Sequence, residues 1–113
     1  MDEFSWFVGL YEGEGCLTSG TRPVKGQRYP ILTLIIKMTD EDTIARAAAF
    51  LGVGYHKVKS SHKQLYRCRK QGGLTGQLAD LIIKMKPHLS ARRQQQFDNA
   101  LSTFCENKVG AKT

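Results

Sequence analysis

Trp6-Phe7-Val8-Gly9-Leu10-Tyr11-Glu12-Gly13-Glu14-Gly15 is the stretch on which the reading of this chain turns. Phe4, Phe7, Val8, Leu10 and Tyr11 spread around most of a helical wheel, and a helix that is apolar nearly all round must be buried on several sides. Asp2 stands where an N-cap belongs, so the expected helix covers residues 3–13. It stops on Gly13-Glu14-Gly15. Two carboxylates, Glu12 and Glu14, thus arrive at a helix C-terminus, where the dipole disfavours negative charge. A buried helix that carries an acid to its own end suggests a metal site as well as a core element.

Working outward, residues 16–22 alternate weakly and read as a strand. Residues 23–27 hold Pro23 and Gly26 and read as a turn, and residues 28–38, rich in Ile, Leu and Thr, read as a second strand. Thr39 is the expected cap of a second helix whose first turn holds Asp40, Glu41 and Asp42. Its inner stripe is Ile44, Ala47, Ala48 and Leu51, and Gly52 ends it. Residues 55–60 and 64–70 form a second hairpin around Ser60-Ser61-His62-Lys63. A third helix is expected over residues 74–84, and a fourth, beyond Pro87, over residues 90–104. The order α-β-β-α-β-β-α-α defines an α+β domain over residues 1–106, with residues 107–113 as a disordered tail. Four strands make one antiparallel sheet with helices on one face and the other face open.

The chain has 113 residues with 17 Lys and Arg against 10 Asp and Glu, a net charge of +7 that favours an anionic partner, nucleic acid first. No apolar run approaches the ~20 residues of a membrane span, so no membrane partner is expected. Cys16, Cys68 and Cys105 form no CxxC pair, which argues against a disulfide framework or a structural zinc and for a reducing, cytoplasmic setting. His56, His62 and His88 show no ligand spacing and read as surface or loop residues.

Strand alternation puts every second side chain on one face. One face of the first strand holds Cys16, Thr18, Gly20 and Arg22, opposite Leu17. In the second strand Tyr29, Ile31, Thr33, Ile35 and Lys37 oppose Leu32, Leu34, Ile36 and Met38. The third places Tyr55, Lys57 and Lys59 together, and the fourth Lys63, Leu65, Arg67 and Arg69. The open face is therefore expected to gather Arg22, Lys37, Lys57, Lys59, Lys63, Arg67 and Arg69 with no interleaved acid. A twisted ribbon of this kind suits the major groove of duplex DNA. Thr18, Arg28 and Thr33 complete the expected DNA-binding set.

Phe7–Gly15 resembles the signature of the LAGLIDADG homing endonucleases, and the element order resembles their fold over about residues 5–104. Gly52-Val53-Gly54-Tyr55 and the stretch 89–96 add to the likeness. The resemblance implies that Gly9 and Gly13, with Phe7 and Leu10, form a helix–helix seam of small residues. A single copy of the motif then implies a homodimer. It implies that Glu14 is the metal-binding catalytic carboxylate, with the Gly15 carbonyl as a further ligand, and that Mg²⁺, or Mn²⁺ in its place, is the cofactor. Arg92, with Arg93 beside it, falls where the family places a basic residue near the scissile phosphate. Glu12 aligns with the motif's first, more often structural, acid. Met38 stands where some members carry Gln, and 113 residues is short for a member; both are departures.

The activity implied is site-specific cleavage of duplex DNA at a long pseudo-palindromic site, in a prokaryotic, phage or organellar setting. The competing expectation is a non-catalytic nucleic-acid-binding protein of the same fold: a DNA-binding regulator, or a maturase whose partner is intron RNA.

Overall fold

The computed structural model describes residues 2–59 and 63–110, with side chains to residue 107. The elements follow the expected order: α1 (Glu3–Glu14), β1 (Gly15–Val24), β2 (Gln27–Met38), α2 (Glu41–Leu51), β3 (Tyr55–Val58), β4 (Leu65–Gly72), α3 (Gln77–Met85), a 3₁₀ turn (Lys86–His88) and α4 (Ala91–Gly110). The strands form one four-stranded antiparallel sheet in the order β1-β2-β4-β3. Among the described residues no helix is long and apolar enough to cross a membrane.

The chain divides into two compact units, and β1, β2 and β4 contribute residues to both. The first unit joins the residues up to Cys16 to Leu34–Lys70. Its buried side chains are Phe7, Val8 and Tyr11 of α1, Leu34 and Ile36 of β2, Ile44, Ala47, Ala48 and Leu51 of α2, and Cys68 of β4. Phe7 stacks on Phe50 with ring centroids 4.7 Å apart. At the outer edge of the α1–α2 pair, Arg46 bonds Glu3 at 2.5 Å and lies 4.0 Å above the Trp6 ring, which serves as a cation–π platform. The second unit joins Leu17–Thr33 to the residues from Gln71 onward. It buries Leu17, Leu32, Leu78, Ala79, Ile82, Met85, Leu89, Phe97, Ala100 and Phe104.

Several boundaries move for identifiable reasons. Asp40, not Thr39, caps α2: its carboxylate accepts the Thr43 N–H at 3.0 Å and the Thr43 hydroxyl, bonds that hold the Asp40 carboxyl below its ordinary range. A full negative charge also suits the helix N-terminus better than a hydroxyl does. The first hairpin turns on Lys25-Gly26 alone, with φ of 51° and 80°, the two-residue geometry that matches strand twist. Pro23 therefore sits inside β1, tolerated because β1 is an edge strand. α3 begins at Gln77 rather than Leu74, since Gly76 adopts φ 98°, ψ −165°, a conformation closed to side-chain-bearing residues. α4 continues to Gly110 where a disordered tail was expected. The expected loop positions 60–62 lie outside the described residues.

The junction between α1 and β1 has no loop. Gly15 caps the helix with its N–H on the Tyr11 carbonyl, in extended geometry, and is already the first residue of β1. The Tyr11 ring, wholly buried, lies flat against it: a Cβ added to Gly15 would stand 2.1 Å from Tyr11 Cδ2 and 2.5 Å from Cγ. Because Cγ is close to the backbone, no small rotation of the ring relieves that overlap. Gly15→Ala is expected to cost about 3 kcal/mol, the upper end for overpacking. Urea unfolding read by circular dichroism measures it, and a midpoint equal to wild type would show that the ring yields.

Candidate nucleic-acid interface

Glu14 is the last residue of α1 and is exposed. The last turn of the helix contains no basic residue, so nothing on the helix offsets the carboxylate at the negative end of the dipole. Glu12, two residues earlier, is half-buried. Gly15 follows Glu14 in the chain and is buried under Tyr11. Among the described residues no group of three or more His, Cys, Asp or Glu side chains comes together.

The proposed seam of α1 is split by the packing. Gly9 and Gly13 are exposed, and a Cβ added to either meets nothing within 4 Å. They form a bare strip on the side of α1 opposite Phe7 and Tyr11. Leu10 is half-buried. Phe7, expected on the seam, has no exposed surface and is committed to Phe50, so it is a core residue of its own chain.

The open sheet face is best defined from β4. Antiparallel partners share a face, and Tyr55 pairs with Cys68, His56 with Arg67, Lys57 with Tyr66 and Val58 with Leu65. Cys68 is fully buried, and burial pushes its thiol up to about 11. Tyr55 and Lys57 therefore lie on the helix side. The Tyr55 hydroxyl donates to Glu41 of α2 at 3.0 Å, which raises its pKa, and its ring meets Tyr66 edge-on at 6.4 Å. This corrects the expected placement of Lys57 beside Arg67. Lys59 lies one residue past β3, and Lys63 two before β4, both exposed and outside the strands whose alternation was used to assign them.

In the first unit the open face thus holds Lys37, Arg67 and Arg69, and His56 in the place expected for Lys57. Arg67 Nη2 lies 2.9 Å from His56 Nε2. In the second unit Thr18 and Arg22 of β1 are exposed and opposite buried Leu17, as alternation requires. Thr33 accepts a hydrogen bond from Gln71 Nε2 at 3.3 Å, which adds Gln71 to this face. Arg28 does not join it. Its parity is that of buried Leu32, and its guanidinium donates to Thr21 Oγ1 at 3.0 Å. At the start of α4, Arg92 is exposed, whereas Arg93 is 7% exposed and donates to Gln96 Oε1 at 2.9 Å. That burial separates two neighbours the sequence left interchangeable. Met38 closes β2, half-buried.

Sequence reasoning missed His56 and Gln71. Both are ordinary surface residues by type, and only the strand pairing assigns His56 to Arg67. The count of residues between β3 and β4 could have suggested that pairing had the turn been known.

No family model matches this chain, and no curated protein sequence resembles it. Its structure is nevertheless similar to solved homing endonucleases. I-TnaI superposes with a TM-score of 0.65 at 17% identity, over 97% of this chain and 76% of that one. I-CvuI, solved with a DNA target that is not cleaved in 2 mM Mg, superposes at 0.64 and 18% identity, over 90% of this chain and 65% of that one. The LAGLIDADG homing endonuclease I-SmaMI, bound to cleaved DNA, superposes at 0.63 and 17% identity, over 96% of this chain and 36% of that one. This chain spans about two thirds of I-CvuI and about one third of I-SmaMI. The fold is therefore that of the LAGLIDADG homing endonucleases.

Proposed function

We propose that this chain is one subunit of a homodimeric, divalent-metal-dependent endonuclease that hydrolyses duplex DNA at a long pseudo-palindromic site. The observation that carries the reading is the construction of α1: one side bare at Gly9 and Gly13, and an exposed Glu14 at its end with no basic residue in the helix's last turn. Small residues four apart let two helix backbones approach closely. Two copies related by a two-fold axis along that strip bring two Glu14 carboxylates toward each other, an arrangement that is costly without a cation between them.

The donors fit Mg²⁺. It takes hard oxygen ligands and is satisfied by one or two carboxylates with waters and substrate phosphates. One Glu14 per chain, with the Gly15 carbonyl as a further candidate, matches that demand, and the absence of a three-ligand cluster among the described residues agrees with a site completed by a second copy and by DNA. When bound, such a cation polarises the phosphate and lowers the pKa of a coordinated water; Mn²⁺ offers the same chemistry. The chain's own residues do the rest. Glu14 holds the charge at the axis. Arg92 stabilises negative charge on a phosphate and, being always protonated, is no proton acceptor. Arg22, Lys37, Arg67 and Arg69 contact the duplex, where phosphate contacts set position and base-edge contacts set sequence. The partners are double-stranded DNA and a second copy of the chain.

Glu14→Gln is expected to abolish cleavage in Mg²⁺ and Mn²⁺ while leaving DNA affinity within about threefold. A gel assay of the selected target measures both, and normal cutting by the variant removes the metal assignment. Gly9→Ala separates seam from helix. In dilute monomer it is expected to add about 0.5–1 kcal/mol, the gain in helix propensity, while dimer dissociation measured by sedimentation rises at least tenfold. An unchanged dimer would place the interface elsewhere. Arg69→Ala is expected to weaken DNA binding and lower the salt slope by about 1, whereas Lys57→Ala, on the helix side of β3, changes neither. Salt titrations of the two variants decide whether the corrected register describes the interface.

A further inference from the structure

We propose that His56 is a positioning residue which aims the Arg67 guanidinium on the open sheet face and so sets base discrimination there. The proposal rests on the DNA-binding reading above. Strand pairing puts the two residues directly opposite each other, with Arg67 Nη2 2.9 Å from His56 Nε2. A guanidinium has donors only and does not lose its proton, so Nε2 must be the acceptor and the ring proton must sit on Nδ1.

The rest of the guanidinium shows what the bond is for. Arg67 Nε is buried without a hydrogen-bond partner among the described residues. The Nε–Nη2 edge thus faces the protein, with Nη2 on His56, and the outer Nη1–Nη2 fork is left to an external acceptor pair. The N7 and O6 atoms of guanine in the major groove are such a pair. A long side chain on an exposed strand would otherwise sample many rotamers; the His56 bond selects one.

Among the described residues no hydrogen bond or ion pair joins a carboxylate to either residue. Neighbouring charges on this face are Arg69 on β4 and Lys37 on β2, while Glu41 and Asp42 of α2 lie on the side of Tyr55, whose hydroxyl Glu41 accepts. Lys57 shares that helix side, and Lys59 and Lys63 flank the strands. His62 lies outside the described residues, so the test must separate it from His56.

Binding sites are selected from a random duplex library, and the enriched site and its single-base variants are titrated with wild type and variants. The expected wild-type result is one G·C pair in each half-site whose replacement costs roughly 5- to 150-fold, the range for a bidentate contact. Arg67→Ala and His56→Ala lose that discrimination. His56→Gln, whose amide oxygen accepts in place of the ring nitrogen, retains it. Wild-type discrimination in His56→Ala, or loss of discrimination in His56→Gln, overturns the proposal. Selection that enriches no sequence removes the DNA reading itself. Enrichment without any His56 effect removes only this assignment.

Discussion

The contact between the Tyr11 ring and the backbone of Gly15 is the constraint on which the rest of the first unit depends. The ring is fully buried and leaves no room for a side chain at Gly15, while the Gly15 N–H closes the helix on the Tyr11 carbonyl. The chain therefore passes from α1 to β1 within a single residue. Glu14 is caught between the two elements and inherits the rigidity of both. A carboxylate on a flexible loop would spend its time among many positions; here its backbone has one, which is what a preorganised charge site requires. The same ring sets the orientation of α1 about its axis. With Phe7, Val8 and Tyr11 turned inward, Gly9 and Gly13 have to face out.

A second constraint acts at the far edge of the sheet. The hydroxyl of Tyr55 on Glu41 ties β3 to α2, and the Tyr55–Tyr66 contact sets it against β4. These bonds fix which side of β3 meets the helices, and so which charges the open face displays. The outcome is less uniformly basic than a count of Lys and Arg suggests: Lys57 goes to the helix side, and Arg28 spends its guanidinium on Thr21. What remains in the first unit is a smaller set of cations with a histidine among them. A face built this way has groups suited to reading base edges as well as to neutralising phosphates.

Most of the fold was legible in the chain. Glycines and prolines marked nearly every boundary, and the apolar all-round pattern of residues 4–11 demanded a buried helix at the start. The errors fall where a local signal was weaker than a tertiary or backbone one. Thr39 and Asp40 are both acceptable caps by type, and the Thr43 bonds decide between them. Leu74 and Thr75 have nothing against helix, but the backbone at Gly76 excludes them. Phe7 was legible as apolar, yet periodicity on an all-apolar helix could not say whether it faced its own core or another chain; the Phe50 ring answers that.

By itself the sequence determined the order of elements, the bare glycine strip beside an acidic helix end, and the alternation within each strand, because these depend on residues close together in the chain. The tertiary structure alone decided which face of β3 joins which face of β4, that His56 meets Arg67, and that Arg93 is buried where Arg92 is exposed. The physical reason is that side-chain period fixes parity inside a strand, whereas parity between strands follows from register. Register is chosen by contacts between residues distant in sequence, and no local pattern encodes them.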